Sequence, residues 1–236
     1  MKNVMLFSGV AAATLFAGSA SASLVSDTFT YPDGNLVGNG GWVDQGGSTP
    51  LLVSGGQAVV EHGGGSRQDA EIVFADDVTT GSFTATFDVT VTDDTEISGG
   101  DYEYFAHFSD DGNFNFRGRL FVAPSNLIGG DYTLGIATSA SSPEASLPID
   151  LTYGTTYSVD LTFDLDSGLA TVAIGGDSAT STTVDDDEII DSFNLRASNS
   201  SNDETILIDN LVIVPEPATA FLVGLGGLAM LRRRSA

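Results

Sequence analysis

The stretch Leu161-Thr162-Phe163-Asp164-Leu165-Asp166-Ser167-Gly168-Leu169-Ala170-Thr171-Val172-Ala173-Ile174 contains two alternating runs around a turn. Apolar side chains on every second position give each run one face to bury and one to leave in water, the period of a β-strand. Asp164 to Gly168 supplies the turn, with Gly168 placed to take a positive φ at no steric cost. Similar runs rich in Val, Ile, Thr, Phe and Tyr recur on both sides: Asp27 to Tyr31, Leu51 to Ser54, Gln57 to Glu61, Ala70 to Ala75, Ser82 to Thr92, Tyr102 to Phe108, Phe114 to Val122, Tyr132 to Thr138, Thr156 to Asp164, Leu169 to Ile174, Ile189 to Arg196 and Thr205 to Val214. Clusters of Gly, Asn, Asp or Ser separate most of them, and no helical period intervenes. A dozen strands without a helix predict an all-β sandwich or barrel. No linker divides residues 23 to 214, so one domain is expected there.

Composition narrows the chemistry. The 236 residues carry 8 Lys and Arg against 32 Asp and Glu, a net charge of −24, with no cysteine. Disulfides, thiolate metal sites and cysteine nucleophiles are therefore excluded. Duplex nucleic acid is excluded as a partner, because its phosphates would be repelled by such a surface. A hydrophobic fraction of 42% is too high for a disordered acidic tail.

The two ends read as addresses. Lys2, the apolar stretch Val4 to Phe16 and the small residues Ala20-Ser21-Ala22 form a signal peptide over residues 1–22, cut by signal peptidase after Ala22. At the other end, residues 215–236 run Pro215-Glu216-Pro217, an apolar stretch Ala218 to Leu231, then Arg232-Arg233-Arg234. That apolar stretch is shorter than the ~20 residues of a comfortable membrane span, but reaches one with snorkelling arginines held on the cytoplasmic side. Without both ends, four basic residues (Arg67, Arg117, Arg119, Arg196) face 31 acidic ones, a net of −27 with no lysine.

The order of these C-terminal elements resembles the PEP-CTERM sorting signal of Gram-negative bacteria. The resemblance implies an exosortase-type processing enzyme acting at the Pro-Glu-Pro region, an inner-membrane-anchored precursor with a hydrophobic C-terminal helix, and a mature domain at the cell surface or in the exopolysaccharide matrix. Within the domain, Asp27-Thr28-Phe29-Thr30-Tyr31-Pro32-Asp33-Gly34 followed by Leu36, Gly38 and Gly40-Gly41-Trp42, the closing strand Ile206 to Ile213, and the Phe163 to Ile174 hairpin resemble concanavalin A-like (LamG-like) jelly rolls. That resemblance implies a two-sheet antiparallel jelly-roll sandwich whose first and last strands are neighbours.

The same residues carry no recognisable catalytic pattern. Relatives of this fold include retaining glycosidases, whose Glu-x-Asp-x-(x)-Glu strand aligns three carboxylates on one face. No such spacing occurs; Asp94, Asp101 and Glu103 lack it, and Asp185-Asp186-Asp187-Glu188 is consecutive, so its side chains diverge. His62 and His107 belong to no hydrolase or metalloprotease motif, and Gly63-Gly64-Gly65-Ser66 has no following Lys to make it a phosphate loop. The chain is accordingly expected not to be an enzyme. Structural calcium is the cofactor expectation, with Asp209 as ligand and Asp27 as its partner across paired terminal strands.

The hairpin formed by Tyr102 to Phe108 and Phe114 to Val122 carries the binding hypothesis. Strict alternation places Tyr102, Tyr104, Ala106, Phe108, Phe114, Phe116, Leu120 and Val122 in the core. It places Glu103, Phe105, His107, Asn115, Arg117, Arg119 and Phe121 together on the opposite face. Aromatic rings that stack on pyranoses, beside Arg, Asn and acids that bond hydroxyls, make this a glycan-binding candidate. The alternative is cross-strand pairing of the arginines with local acids. Trp42, near the first strand, is expected in the core. The sequence thus predicts an exported, non-catalytic surface or matrix protein that binds polysaccharide or serves a structural role. The alternatives are a polysaccharide-degrading enzyme of the same fold and a calcium-dependent adhesion module.

Overall fold

A computed structural model describes residues 22–63, 68–92, 102–110, 115–127, 129–186, 189–198 and 204–216. Most of both end segments, including Ala20, Pro217 and Arg232 to Arg234, lies outside the described residues. So do Arg67, Asp94, Asp101, Asp111 to Phe114, Asp187 and Glu188. No described helix is long and apolar enough to cross a membrane.

The described strands are β1 (Val25–Asp27), β2 (Gly34–Asn35), β3 (Trp42–Gly46), β4 (Leu52–Ser54), β5 (Gln57–Glu61), β6 (Asp69–Val78), β7 (Ser82–Val91), β8 (Glu103–Ser109), β9 (Arg117–Pro124), β10 (Tyr132–Ala137), β11 (Ala145–Ser146), β12 (Thr156–Asp164), β13 (Leu169–Ile174), β14 (Asp177–Thr180), β15 (Ile190–Arg196) and β16 (Thr205–Pro215). They form two antiparallel sheets. A nine-stranded sheet runs β14-β13-β12-β7-β16-β5-β4-β2, with β1 also on β16, and a seven-stranded sheet runs β11-β10-β9-β8-β15-β6-β3. Non-consecutive neighbours such as β7-β16 and β8-β15 interleave the two halves of the chain, as in a jelly roll.

Alternation decides which way each central strand faces. Phe83, Ala85, Phe87, Val89 and Val91 of β7 are buried, while Thr86 and Asp88 between them are only partly covered. On β12, Val159, Leu161 and Phe163 do the same. From the seven-stranded sheet, Ala106, Phe108, Leu120, Val122, Phe193 and Leu195 join the same core. Phe83 meets Phe108 edge-on at 4.6 Å between centroids, and Phe87 meets Phe193 at 5.8 Å, so these pairs bolt the sheets together. Each fully buried Phe contributes roughly 1.5–3 kcal/mol by leaving water.

The first and last strands do pair: Val25 to Asp27 lie opposite Ile213 to Leu211. Asp27 turns inward and accepts hydrogen bonds from the Phe29 amide (2.8 Å), the Tyr31 hydroxyl (3.0 Å) and the Trp42 indole (2.7 Å). Burial and the bond to Asp27 push the Tyr31 hydroxyl up to about 12. Trp42 is in the core, as expected, held by this acid and by Phe29 at 6.0 Å.

The expected strands are present with shifted ends, except Asp27 to Tyr31, where β1 ends at Asp27 and Phe29, with φ 49°, turns the chain out of the strand. Four short edge strands, β2, β3, β11 and β14, lack an alternating apolar run, and their partners recruit them. Beyond β16, the Glu216 amide donates to Ser82 at 2.8 Å and its carboxylate accepts from Thr84 at 3.3 Å. Pro215 is thus the last residue of β16, and Glu216 is bonded to the edge of the neighbouring strand rather than lying in a free tail.

Candidate functional site

The site is the outward face of the seven-stranded sheet, where β9, β8, β15 and β6 lie side by side. Direct pairing sets one polar row across it: Glu71 on β6 opposes Asn194 on β15, which opposes His107 on β8. Opposed residues project to the same side of a sheet, and here that side is away from the core containing Phe193 and Phe108. Along the strands, Ser192 opposes Ser109 and Arg196 opposes Asp69 on the same face.

The hairpin β8-β9 departs from strict alternation, and this redistributes the side chains predicted for it. Its register shifts between Tyr104 and Ala106 and again between Ala106 and Phe108. Phe105 and Ala106 consequently both enter the core, which removes Phe105 from the predicted face. Tyr104, expected in the core, instead opposes Phe121 and faces outward, with ring centroids 5.6 Å apart. Phe116, also expected in the core, lies against the His107 ring at 4.2 Å.

The two arginines of β9 also part company. Gly118, between them, has φ +60°, and a Cβ there would stand 3.3 Å from the Phe108 ring. Glycine meets both constraints without strain, and the kink it permits separates its neighbours. Arg117 reaches Asp185 at 2.9 Å, in the connection after β14. Arg119 stays on the outward face, its guanidinium 4.8 Å from the Tyr104 centroid and 5.4 Å from that of Phe116. Arg196 approaches the same Tyr104 ring at 4.1 Å and pairs with Glu103 at 3.1 Å. Asn115 is exposed at the rim before β9. Of the predicted set, Glu103, His107, Arg119 and Phe121 are brought together; Phe105 and Arg117 are not.

Burial governs the electrostatics. His107 is fully buried, and desolvation pulls it down to about 3 although a bond to the Phe108 carbonyl opposes this. It is therefore neutral, with Nδ1–H donating to that carbonyl at 3.2 Å and Nε2 presenting a lone pair. Asp69 is raised to about 6 by burial, against the pull of Arg196 and the Ala197 amide. Burial also raises Tyr104, partly offset by the two guanidinium groups. Alternation missed Tyr104, Asn194 and Arg196 here: Asn194 and Arg196 lie next to the buried Phe193 and Leu195 of an alternating run, whereas the register shift that turns Tyr104 outward has no signal in the sequence.

The proposed calcium pair is not assembled. Asp27 faces the core, with both oxygens taken by three donors. Asp209 opposes Asp88 on the other face of the nine-stranded sheet. The bulge at Asn210, with φ 54°, puts Leu211 inward opposite Asp27 and leaves Asp209 outward. No group of three metal-ligating side chains occurs among the described residues.

No protein-family model and no curated protein matches the chain. Solved structures do match in shape. Peanut lectin superposes with a TM-score of 0.53 at 16% identity, covering 84% of this chain and 98% of the lectin. The Emp47p carbohydrate recognition domain gives 0.52 at 17% identity, covering 82% and 94%. A sialidase gives 0.55 at 13% identity over 83% of this chain, which spans only 19% of that enzyme's length. These likenesses, with the two interleaved antiparallel sheets, define the fold as a lectin-like, concanavalin A-type jelly-roll sandwich.

Proposed function

We propose that the protein is an exported, non-catalytic glycan-binding component of the cell surface or its exopolysaccharide matrix. The carrying observation is the cluster of Tyr104, Phe116, Phe121, Arg119 and Arg196 on one sheet face. The partly exposed rings of Tyr104 and Phe116, backed by the buried Phe121, are able to stack on sugar beside polar groups able to bond hydroxyls. The lectin-like sandwich supports this reading as a scaffold, since fold by itself does not fix function. Export through the N-terminal signal peptide and processing near Pro215-Glu216-Pro217 complete the proposal. Glu216, bonded to Ser82 and Thr84, would mark where the folded domain gives way to the removable tail.

The test is a glycan array probed with the purified protein and with Tyr104→Ala and Arg119→Ala variants of unchanged circular dichroism. Binding by the parent that falls at least tenfold in both variants is the expected result. Equal signals from all three proteins would refute the site. Release of new reducing ends from any bound polysaccharide would refute the non-catalytic part. Retention of the mature domain in the cytoplasm would refute the export part.

A further inference from the structure

The outward face has hydrogen-bonding capacity left over, and its sign is one-sided. Among the described residues, Gln45 Oε1, Asp69 Oδ1, His107 Nε2 and Asn194 Oδ1 are buried without a partner. All four are acceptors, and the one buried donor left over on the same face is Arg119 Nε. The orientations are fixed by what the other atoms do. Gln45 donates its amide to Glu71 at 3.1 Å, so its oxygen is the free end. Ser192 donates to the Ser109 carbonyl at 3.0 Å, so the Ser109 hydroxyl points to Ser192 or Glu71 and accepts the Asn194 amide at 2.6 Å. Asn194 Oδ1 is then left with its lone pairs, directly across the strand pair from His107, whose Nε2 is the acceptor of its neutral ring.

An unpaired acceptor buried in this way keeps its full desolvation penalty, and His107 and Asn194 are both 0% exposed. Whatever completes the row must bring donors. The hydroxyl groups of any sugar do so, but the carboxylates and sulfates of a polyanion add further acceptors that this acceptor row cannot pair. The two guanidinium groups nearby do not reverse that preference. Arg196 is already paired with Glu103, and Arg119 donates to the Ala140 carbonyl at 3.3 Å. The domain's charge of −27 further repels a polyanion.

Building on the glycan-binding reading above, we infer that the ligand is a neutral, hydroxyl-rich saccharide rather than a uronate or sulfated polysaccharide. Its hydroxyls donate to His107 Nε2 and Asn194 Oδ1 when the half-buried Phe116 ring turns off His107. Polar row and aromatic rings together then hold one sugar edge-on and its neighbour by stacking.

The experiment is calorimetric titration of the full chain with neutral oligosaccharides (β-glucan, galactan, mannan) and, at equal ionic strength, with oligogalacturonate and sulfated galactan. Binding by at least one neutral series and none by the anionic ones is expected. His107→Phe and Asn194→Leu should each weaken it tenfold or more, with unchanged circular dichroism. Anionic oligosaccharides binding as tightly as neutral ones would overturn the inference while leaving the glycan-binding function standing; that comparison needs no variant to fold. Full neutral-glycan affinity in both folded variants would overturn the assignment of the row. No binding by either series would refute the glycan-binding function itself, and with it this inference, a buried water then being what His107 and Asn194 share.

Discussion

Asp69→Asn should stabilise the protein at alkaline pH and do nothing in acid. Asp69 opens β6 opposite Arg196, where burial and the nearby Asp44 outweigh Arg196 and the Ala197 amide, raising its carboxyl to about 6. An unfolded aspartate titrates near ~3.9. Because the folded value is the higher one, the native state holds this proton more tightly than the unfolded state does. The unfavourable contribution is therefore complete above about pH 6, shrinks as pH falls towards 4, and vanishes below. Two pH units at ~1.4 kcal/mol each give about 3 kcal/mol. For a domain of this size that corresponds to roughly 6–12 °C in melting temperature. Asparagine keeps the shape and removes the charge, and the attraction of Arg196 is already contained in the net shift. Thermal melts of parent and variant at pH 8 and pH 3.5 test this, since other titrating groups cancel in the difference. A gap of the same size at both pH values, or a variant less stable at pH 8, would show that Asp69 is solvated or fully compensated by Arg196 in the folded protein.

Asp27→Ala should lower stability by about 3–4 kcal/mol in urea denaturation, because the Phe29 amide and Trp42 indole lose a charged acceptor where they are buried; a loss under 1 kcal/mol would mean that water replaces it. Gly168→Ala combines a left-handed φ of +65° with a Cβ 2.6 Å from the Asp185 backbone. It should cost about 2–4 kcal/mol, and a melting temperature within a degree of the parent would contradict the tight turn. A chain ending at Glu216 should keep the parent's cooperative melt. One ending at Asn210 loses Leu211 and Ile213 from the core and the pairing of Val212 to Pro215 with β7, and should give no cooperative transition by circular dichroism.

Much of the architecture is legible in the chain because strand alternation is a local property. Leu161 to Ile174 turns where Asp164 to Gly168 says it should, and β7 sorts Phe83, Ala85 and Phe87 from Thr86 and Asp88 by parity alone. Edge strands were less visible: β3 includes Trp42 and Gly46 but no repeating apolar pattern, since only one neighbour and a bulge define it. The candidate site was half legible. Its hairpin stands out in the chain by its concentration of aromatic and cationic residues, but a shifted register at Tyr104 puts Tyr104 rather than Phe105 on the outward face, and a left-handed glycine sends Arg117 to Asp185.

By itself the sequence determined a cysteine-free, acidic, all-β chain, because composition and period two depend on no distant contact. Only the tertiary structure decided that Asn194 lies across from His107, 87 positions earlier in the chain, and that their acceptors share a face. Pairing between strands so far apart is set by how the two sheets interleave, and a bulge of one residue reverses which side chains face outward. The same bulge logic separated Asp27 from Asp209, whose nearness in a paired terminal strand had suggested a shared cation.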